Sequence, residues 1–472
     1  MGDRRWLALY VLCAGVLMIV LDTTIVNVAL PSIREDLGFT ETSLVWVVNA
    51  YMLTFGGFLL LGGRLGDLYG RRRLFLLGIT LFTLASLACG LSNSQWLLVG
   101  ARALQGLGGA VVTAIALSLI MNLFTEPADR AKAMGIYSFV CAGGGSIGVL
   151  AGGVLTSALN WHWVFLVNLP IGALVYALCR VLLPDSRGEA TRRRLDIGGA
   201  VTVTASSMLA VYAIVNGDVV LLAIAAVLLA VFLLIEARVA APLMPLGLFR
   251  LRSVATANVV GILWAAAMFA WFFISALYMQ IVLGYSALQV GLAFLPANLI
   301  MAAFSLGLSA RLVMRFGIRI PLAGGLLLAA AGLALFALSP VDGRFVVHVL
   351  PGMILLGVGC GMALNPVLLA AMSDVAPSDS GLASGIVNTS FMMGGALGLA
   401  VLASLAAGRT QALLAAGAPS PVALTSGYAA AFVVGALFAA AAALLSALLL
   451  RTAPQPRAQR PAEALAVPAK NS

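Results

Sequence analysis

The sequence is short of charge. Asp, Glu, Lys and Arg make up only 9% of its 472 residues, whereas a soluble domain uses about 25%. A water-facing surface cannot be built from so few, and 62% of the chain is hydrophobic, so its solvent is mostly lipid. Lysine is nearly absent, with only Lys132 and Lys470 beside 25 arginines; together with abundant Ala, Gly and Leu this points to a GC-rich bacterial genome. The two histidines, His162 and His348, are far apart in sequence. Five cysteines (Cys13, Cys89, Cys141, Cys179, Cys360) lie in apolar segments without CxxC spacing, which leaves no disulfide framework and no metal site. No GxxxxGK[ST] loop occurs, which argues against ATP-driven transport by this chain alone. Nothing suggests an enzyme or a cofactor. The net charge of +10 belongs to loop anchors at a membrane surface, not to nucleic-acid contacts.

What is present is a series of apolar runs, each long enough to cross a bilayer as a helix and neither short nor alternating enough for barrel strands. The first lacks a signal-peptide cleavage pattern and reads as a retained span. Spans are expected near 6–28, 43–63, 73–91, 95–121, 132–157, 162–183, 196–215, 219–239, 254–280, 287–312, 319–338, 345–371, 382–406 and 427–450, fourteen in all. With the N-terminus in the cytoplasm, the cytoplasmic segments hold 23 Lys and Arg and the outer loops only Arg34, Arg344 and Arg409. This asymmetry and the even span count put both termini inside.

A weak internal repeat organises the spans. "GRLGDLYGRRR" (63–73) follows span two and "ARLVMRFGIR" (310–319) follows span ten; Gly70 aligns with Gly317, Arg64 with Arg311 and Arg72 with Arg319. The reading is therefore an all-α membrane protein with a six-helix bundle over 6–183 and a second over 254–451. A linker and an inserted two-helix hairpin occupy 184–253, and a disordered cytoplasmic tail 452–472. Duplicated halves with a site between them are the architecture of secondary transporters.

Two charges sit inside spans. Asp22, in "VLDTTIVNVALP", is costly in hydrocarbon unless compensated. Arg102 shares one helix face with Gln105, Gly106 and Gly109. Each has two readings. Asp22 is a proton carrier, or it makes a structural hydrogen bond to a neighbouring helix. Arg102 faces a central cavity and tunes the carboxylate, or it locks two helices together. The segment after span two combines Gly63, Gly66 and Gly70 with Arg64, Asp67, Arg71, Arg72 and Arg73, which suits a conformational latch; the alternative is merely a basic loop. In span five, Gly144, Gly148 and Gly152, followed by Gly153, form a groove for close helix packing or a gate. Trp264, Met268, Trp271 and Phe272 make a stripe in span nine that suits core or lipid packing as readily as binding. Asn27, Gln105, Trp264, Trp271, Asn365 and Asn388 are the candidates for lining a substrate cavity, with a local helix break expected at Asn365–Pro366.

With these motifs on the page, the chain resembles the fourteen-span drug:proton antiporters of the major facilitator superfamily, the EmrB/QacA type, from about Trp6 to Arg451. "LDTTIVNVALP" is similar to the family's first-span signature, "GRLGDLYGRRR" to its loop after span two and "RALQGLGGA" to its span-four motif. "WHWVFLVNLPIG" resembles the start of its span six, with His162 where Arg is usual, and "YMQIVLGYSALQVGLAFLP" its span nine–ten turn. The span-five motif departs from the family pattern: Val149 stands where a proline is usual. The second loop copy has Met314 where the first has Asp67. The resemblance implies an exporter that rocks two bundles about a cavity lined by spans one, four, nine and twelve. It associates Arg102 with proton coupling.

The expected function is proton-coupled efflux of drugs, antibiotics or other amphipathic small molecules across the bacterial inner membrane. The partners are protons, a small-molecule substrate and the bilayer, with the chain working as a monomer on the proton gradient. An exporter or importer of an endogenous metabolite would share these features. A non-transporting receptor or scaffold would not need Asp22, Arg102 and the latch together.

Overall fold

The computed structural model describes residues 2–183, 196–239, 242–375 and 379–450. The predicted linker, 184–195, and tail, 452–472, lie outside them. The described chain is helical, as its apolar backbone requires in a medium that offers no hydrogen bonds. Among the described residues, twelve helices are long and apolar enough to cross a membrane. The first group comprises α1 (Gly2–Leu37), α2 (Trp46–Tyr69), α3 (Arg71–Gly90), α4 (Gln95–Leu123), α5 (Pro127–Ala158), the short α6 (Trp163–Leu166) and α7 (Asn168–Leu182). The hairpin α8 (Ile197–Asn216) and α9 (Val219–Arg238) turns on Gly217, at φ 68°, and is capped by Asp218. The second group is α10 (Arg252–Leu277), α11 (Ala287–Ala303), α12 (Ser309–Phe316), α13 (Arg319–Ala337), α14 (Leu350–Met372), α15 (Ser380–Ala415) and α16 (Ser420–Leu449).

Several boundaries differ from the sequence reading. α1 runs on through Pro31 to Leu37, beyond the expected end at 28, because a proline costs a helix one hydrogen bond without forcing it to stop. α14 likewise continues through buried Pro366, so the expected break at Asn365–Pro366 is absent. The single span expected over 287–312 is interrupted. A π-helical turn, Phe304–Leu308, separates α11 from α12, and Gly307 takes φ 130°, a value that side-chain-bearing residues avoid.

Helices within each group pack mostly on their own group, with α2 on α15 and α5 on α11 making the main contacts across. Glycine sets the distances. A Cβ at Gly148 would lie 2.9 Å from the Leu21 carbonyl oxygen, and one at Gly152 would lie 2.5 Å from that of Ile25. These residues bring α5 against the backbone of α1, the close approach that small residues permit in lipid. Gly153 faces the other way, and a Cβ there would meet the Ala287 carbonyl oxygen at 2.7 Å. The α8–α9 hairpin touches both groups: Gly57 of α2 lies under Thr204, and Met393 of α15 packs on Val203 and Phe232. The repeat is visible in the backbone, since Gly70 (φ 94°) and Gly317 (φ 73°) each end one helix and precede the next.

Candidate functional site

Asp22 and Arg102 form an ion pair in which both side chains are at most 1% exposed. The pair is sealed inside the first group: of the two readings of Arg102, it does not face an open cavity in this conformation and does tie α4 to α1. An unpaired charge here would be costly, and the surrounding helices satisfy it. Arg102 Nη1 donates to Asp22 Oδ2 and to Gln105 Oε1 at 2.6 Å. Its Nε donates to the Val47 carbonyl at 2.8 Å. Asp22 Oδ1 accepts from Gln105 Nε2 at 2.6 Å and from Asn168 Nδ2 at 3.1 Å. Gln105 Nε2 also donates to Ser86 Oγ at 2.8 Å. The guanidinium lies over the Tyr51 ring at 4.5 Å and near that of Phe165 at 5.6 Å, a favourable setting for a desolvated cation.

Five helices thus join one hydrogen-bond network around the carboxylate: α1 gives Asp22, α2 the Val47 carbonyl, α3 Ser86, α4 Arg102 and Gln105, and α7 Asn168. Three donors converge on Asp22, and protonating it would remove the charge around which they are arranged. Gln105 belongs to this network and does not line an open space. The sequence reading missed Ser86 and Asn168. The signal for Asn168 was its place in the quoted "WHWVFLVNLPIG" segment, as an amide among apolar residues; Ser86 carried none.

The other cavity candidates are scattered. Trp264 and Trp271 are fully buried in α10, Trp271 against Phe272 and Phe294 with centroids at 4.4 and 5.7 Å; neither faces an open space in this conformation. Asn27 is buried and donates within its own helix to the carbonyls of Thr23 and Thr24. Asn388 does the same to Ser384 at 3.0 Å. Asn365 and Asn388 are half-buried.

In the latch segment, Gly62 and Gly66 let α2 approach Val111 and Ile115 of α4. Arg64 donates to the Pro242 carbonyl. Arg72 donates to the Arg180 carbonyl at 2.5 Å, at the C-terminal end of α7, where a cation is favoured. Gly63 lies 3.8 Å (by its would-be Cβ) from Ala114, and the Arg71 Cγ approaches Gly66. The side chain of Asp67 lies outside the described residues.

Toward the end carrying the α1–α2 and α10–α11 connections, three hydrogen bonds join the two groups. They run from Asn49 Nδ2 to the Ala396 carbonyl (2.9 Å), from Gln280 Nε2 to the Val28 carbonyl (3.1 Å) and from Leu288 N to Ser157 Oγ (3.1 Å). A cleft of about 670 Å³ opens beside them, lined in part by Arg34, Glu35, Ser157, Gln280 and Tyr285. It is separate from the ion pair: Pro31, at its rim, stands about 14 Å along α1 from Asp22 at 1.5 Å per residue.

Two groups of apolar helices, a hairpin bridging them and a polar network enclosed in one group define a polytopic membrane transporter. The Major Facilitator Superfamily profile matches residues 12–399, and the chain belongs to that family; it is a multi-pass protein of a bacterial membrane, a transporter of small molecules and not an enzyme. It is 41% identical over 456 residues to the puromycin resistance protein pur8 of Streptomyces alboniger, covering 94% of this chain and 90% of that one. It is 40% identical to the cephamycin export protein CmcT of Amycolatopsis lactamdurans, covering 94% and 92%. It is 38% identical to the lincomycin resistance protein of Streptomyces lincolnensis, covering 85% and 84%. Among solved structures it shares its fold with the nucleoside transporter NupG, with a TM-score of 0.69, 11% identity and coverage of 94% and 100%. The fold is also that of a bacterial homolog to the human lysosomal transporter Spinster in an inward-facing, occupied conformation, with a TM-score of 0.68, 16% identity and coverage of 95% and 97%.

Proposed function

We propose that the protein exports antibiotics or other amphipathic, neutral or weakly charged small molecules in exchange for protons. The observation that carries this reading is the buried network around Asp22. A carboxylate held by Arg102, Gln105 and Asn168 binds a proton only by giving up its ion pair. Proton uptake is then tied to a rearrangement of the five helices that meet there. The names of the relatives, which speak of resistance to puromycin and lincomycin and of cephamycin export, support export and an antibiotic class of substrate.

In this reading the chain has fourteen spans and both termini in the cytoplasm. α5 and the interrupted α11–α12 supply the two spans beyond the twelve counted by length and hydropathy. The two bundles, 6–183 and 254–451, rock about the site. The hydrogen bonds from Asn49, Gln280 and Leu288 then close the outer end, so the conformation faces the cytoplasm. Opening outward admits a proton to Asp22; returning inward lets Asp22 release it, re-pair with Arg102 and admit the next substrate. The chain works as a monomer, without ATP or a cofactor. The glycine motif serves to hold α5 against α1, and Val149, buried between the two groups, leaves α5 continuous.

The test is Asp22→Asn in proteoliposomes. This substitution keeps an acceptor for Arg102 but cannot carry a proton, and substrate-driven proton flux is expected to vanish. Flux equal to that of the unaltered protein would overturn the reading.

A further inference from the structure

Besides Asp22 and Arg102, the buried charged side chains among the described residues are Asp196 and Glu236. They close the inserted hairpin at its open end, Asp196 at the start of α8 and Glu236 near the end of α9. Asp196 Oδ1 caps α8 by accepting from Gly199 N at 2.7 Å. Glu236 Oε2 accepts from Met244 N at 3.1 Å. The other two oxygens, Asp196 Oδ2 and Glu236 Oε1, are buried with no donor among the described residues. Both aim at one spot: a Cβ on Gly199 would lie 2.6 Å from the first and 2.9 Å from the second. The two carboxyl groups are within hydrogen-bonding reach of each other.

Two buried carboxyl oxygens that face each other, with no donor among the described residues, cannot both stay ionised at low cost. A single hydrogen between them satisfies both. An apolar cluster of Leu61 from α2, Ala200 from α8 and Leu243, flanked by Phe58, Leu60 and Leu65, packs the same end of the hairpin against α2. Arg64 of α2 is the other charged group acting on Glu236, and its guanidinium is held by the Pro242 carbonyl. The 242–244 segment presents backbone groups only in these contacts, and α8 offers no charge to Glu236 besides Asp196.

We propose that Asp196 and Glu236 bind one proton between them, a second proton site that fastens the inserted hairpin to the α2–α3 latch. The proton is exchanged with water at the hairpin's open end. When it leaves, two carboxylates face each other and part. Glu236 then releases Met244, and the 242–244 segment, tied to Arg64 through Pro242, loosens from α2. The hairpin also packs on α15 through Met393, so its grip on α2 spans both helix groups.

The experiment is infrared difference spectroscopy on the full chain in lipid nanodiscs without substrate, titrated from mildly acidic to mildly basic pH. A protonated-carboxyl C=O band is expected that persists in Asp22→Asn and is lost in Glu236→Gln. In parallel, amide hydrogen exchange of residues 242–251 should quicken as the band disappears. In Glu236→Gln, whose amide can donate to Asp196, it should stay slow beyond the intrinsic effect of pH. Asp196→Asn, which retains a helix-capping side chain, should also remove the band and serves if the first variant does not fold. A band untouched by both substitutions would overturn the proposal. No transport is measured, so failure of the efflux reading leaves this test intact.

Discussion

The two helix groups repeat a backbone but not a chemistry. Gly70 and Gly317 hold the same hinge between helices, yet among the described residues the buried charge lies in the first group and the hairpin, at Asp22, Arg102, Asp196 and Glu236. Both groups bury rings, Tyr51, Phe75, Phe82, Phe124 and Phe165 in the first and Trp264, Trp271, Phe273, Phe294 and Phe336 in the second, but, among the described residues, only the first sets an ion pair beside them. The turn recurs, while ionisable groups, which are expensive in lipid, sit where several helices share the cost of one carboxylate, as around Asp22. In the proposed mechanism the first group is therefore the one that answers to a proton, and the second supplies the face it moves against.

The sharpest way to break this contrast is Arg102→Ala. It strands Asp22 in a sealed site, and removing one partner of a buried pair costs about 3–5 kcal/mol. Thermal unfolding in detergent should show the loss, and proton-coupled export should lose its pH dependence. Intact export with unchanged pH dependence would mean that the pair has no coupling role. Trp271→Ala tests the other group. It leaves a cavity against Phe272 and Phe294, but lipid is no less apolar than the core, so the loss should be about 2–3 kcal/mol, below that in a water-soluble core. Because no ionisable group is touched, the pH dependence of flux should be unaltered, which a proteoliposome pH series would check.

A paired glycine experiment refines the comparison. Gly148→Ala forces a methyl into Thr24 and the Leu21 carbonyl and should destabilise by about 1–3 kcal/mol. Gly261→Ala in α10 meets only Val367 and Val387, at 3.8 and 4.0 Å, and should fall within about 0.5 kcal/mol of the parent. The two unfolding temperatures would separate these outcomes. The smallest effect concerns Glu41, in the α1–α2 connection. Burial raises its carboxyl above the usual glutamate range, against the lowering influence of Arg34. The folded state therefore holds the proton more tightly than the unfolded state does, and stability falls as pH rises through that window. Glu41→Gln should flatten this part of the profile of unfolding temperature against pH.

Much of the fold was legible because lipid imposes a simple rule on backbone groups and a simple length on helices. The positions of Asp22 and Arg102 were legible for the same reason, since a charge in an apolar run stands out. Their enclosure was not, because spacing along α1 and α4 does not say which faces close on each other. Ser86 and Asn168 complete the network from α3 and α7, and a serine in an apolar helix looks like any other. The continuity of α14 through Pro366 was misjudged because a proline signals a missing hydrogen bond, not a missing helix. The break at Gly307 depends on a backbone angle that glycine permits but does not announce.

The glycines of α5 have a mechanical consequence. Gly144, Gly148 and Gly152 press α5 on α1 over successive turns, and Gly153, on the opposite face, touches the backbone of α11. The α1 side chains Leu17, Val20, Thr24 and Val28 and the carbonyls of Leu21 and Ile25 fill the space that these glycines leave, so α5 cannot slide along α1 without a clash. The helix that carries Asp22 and the facing bundle thus share one close-packed neighbour, as two beams share a pillar.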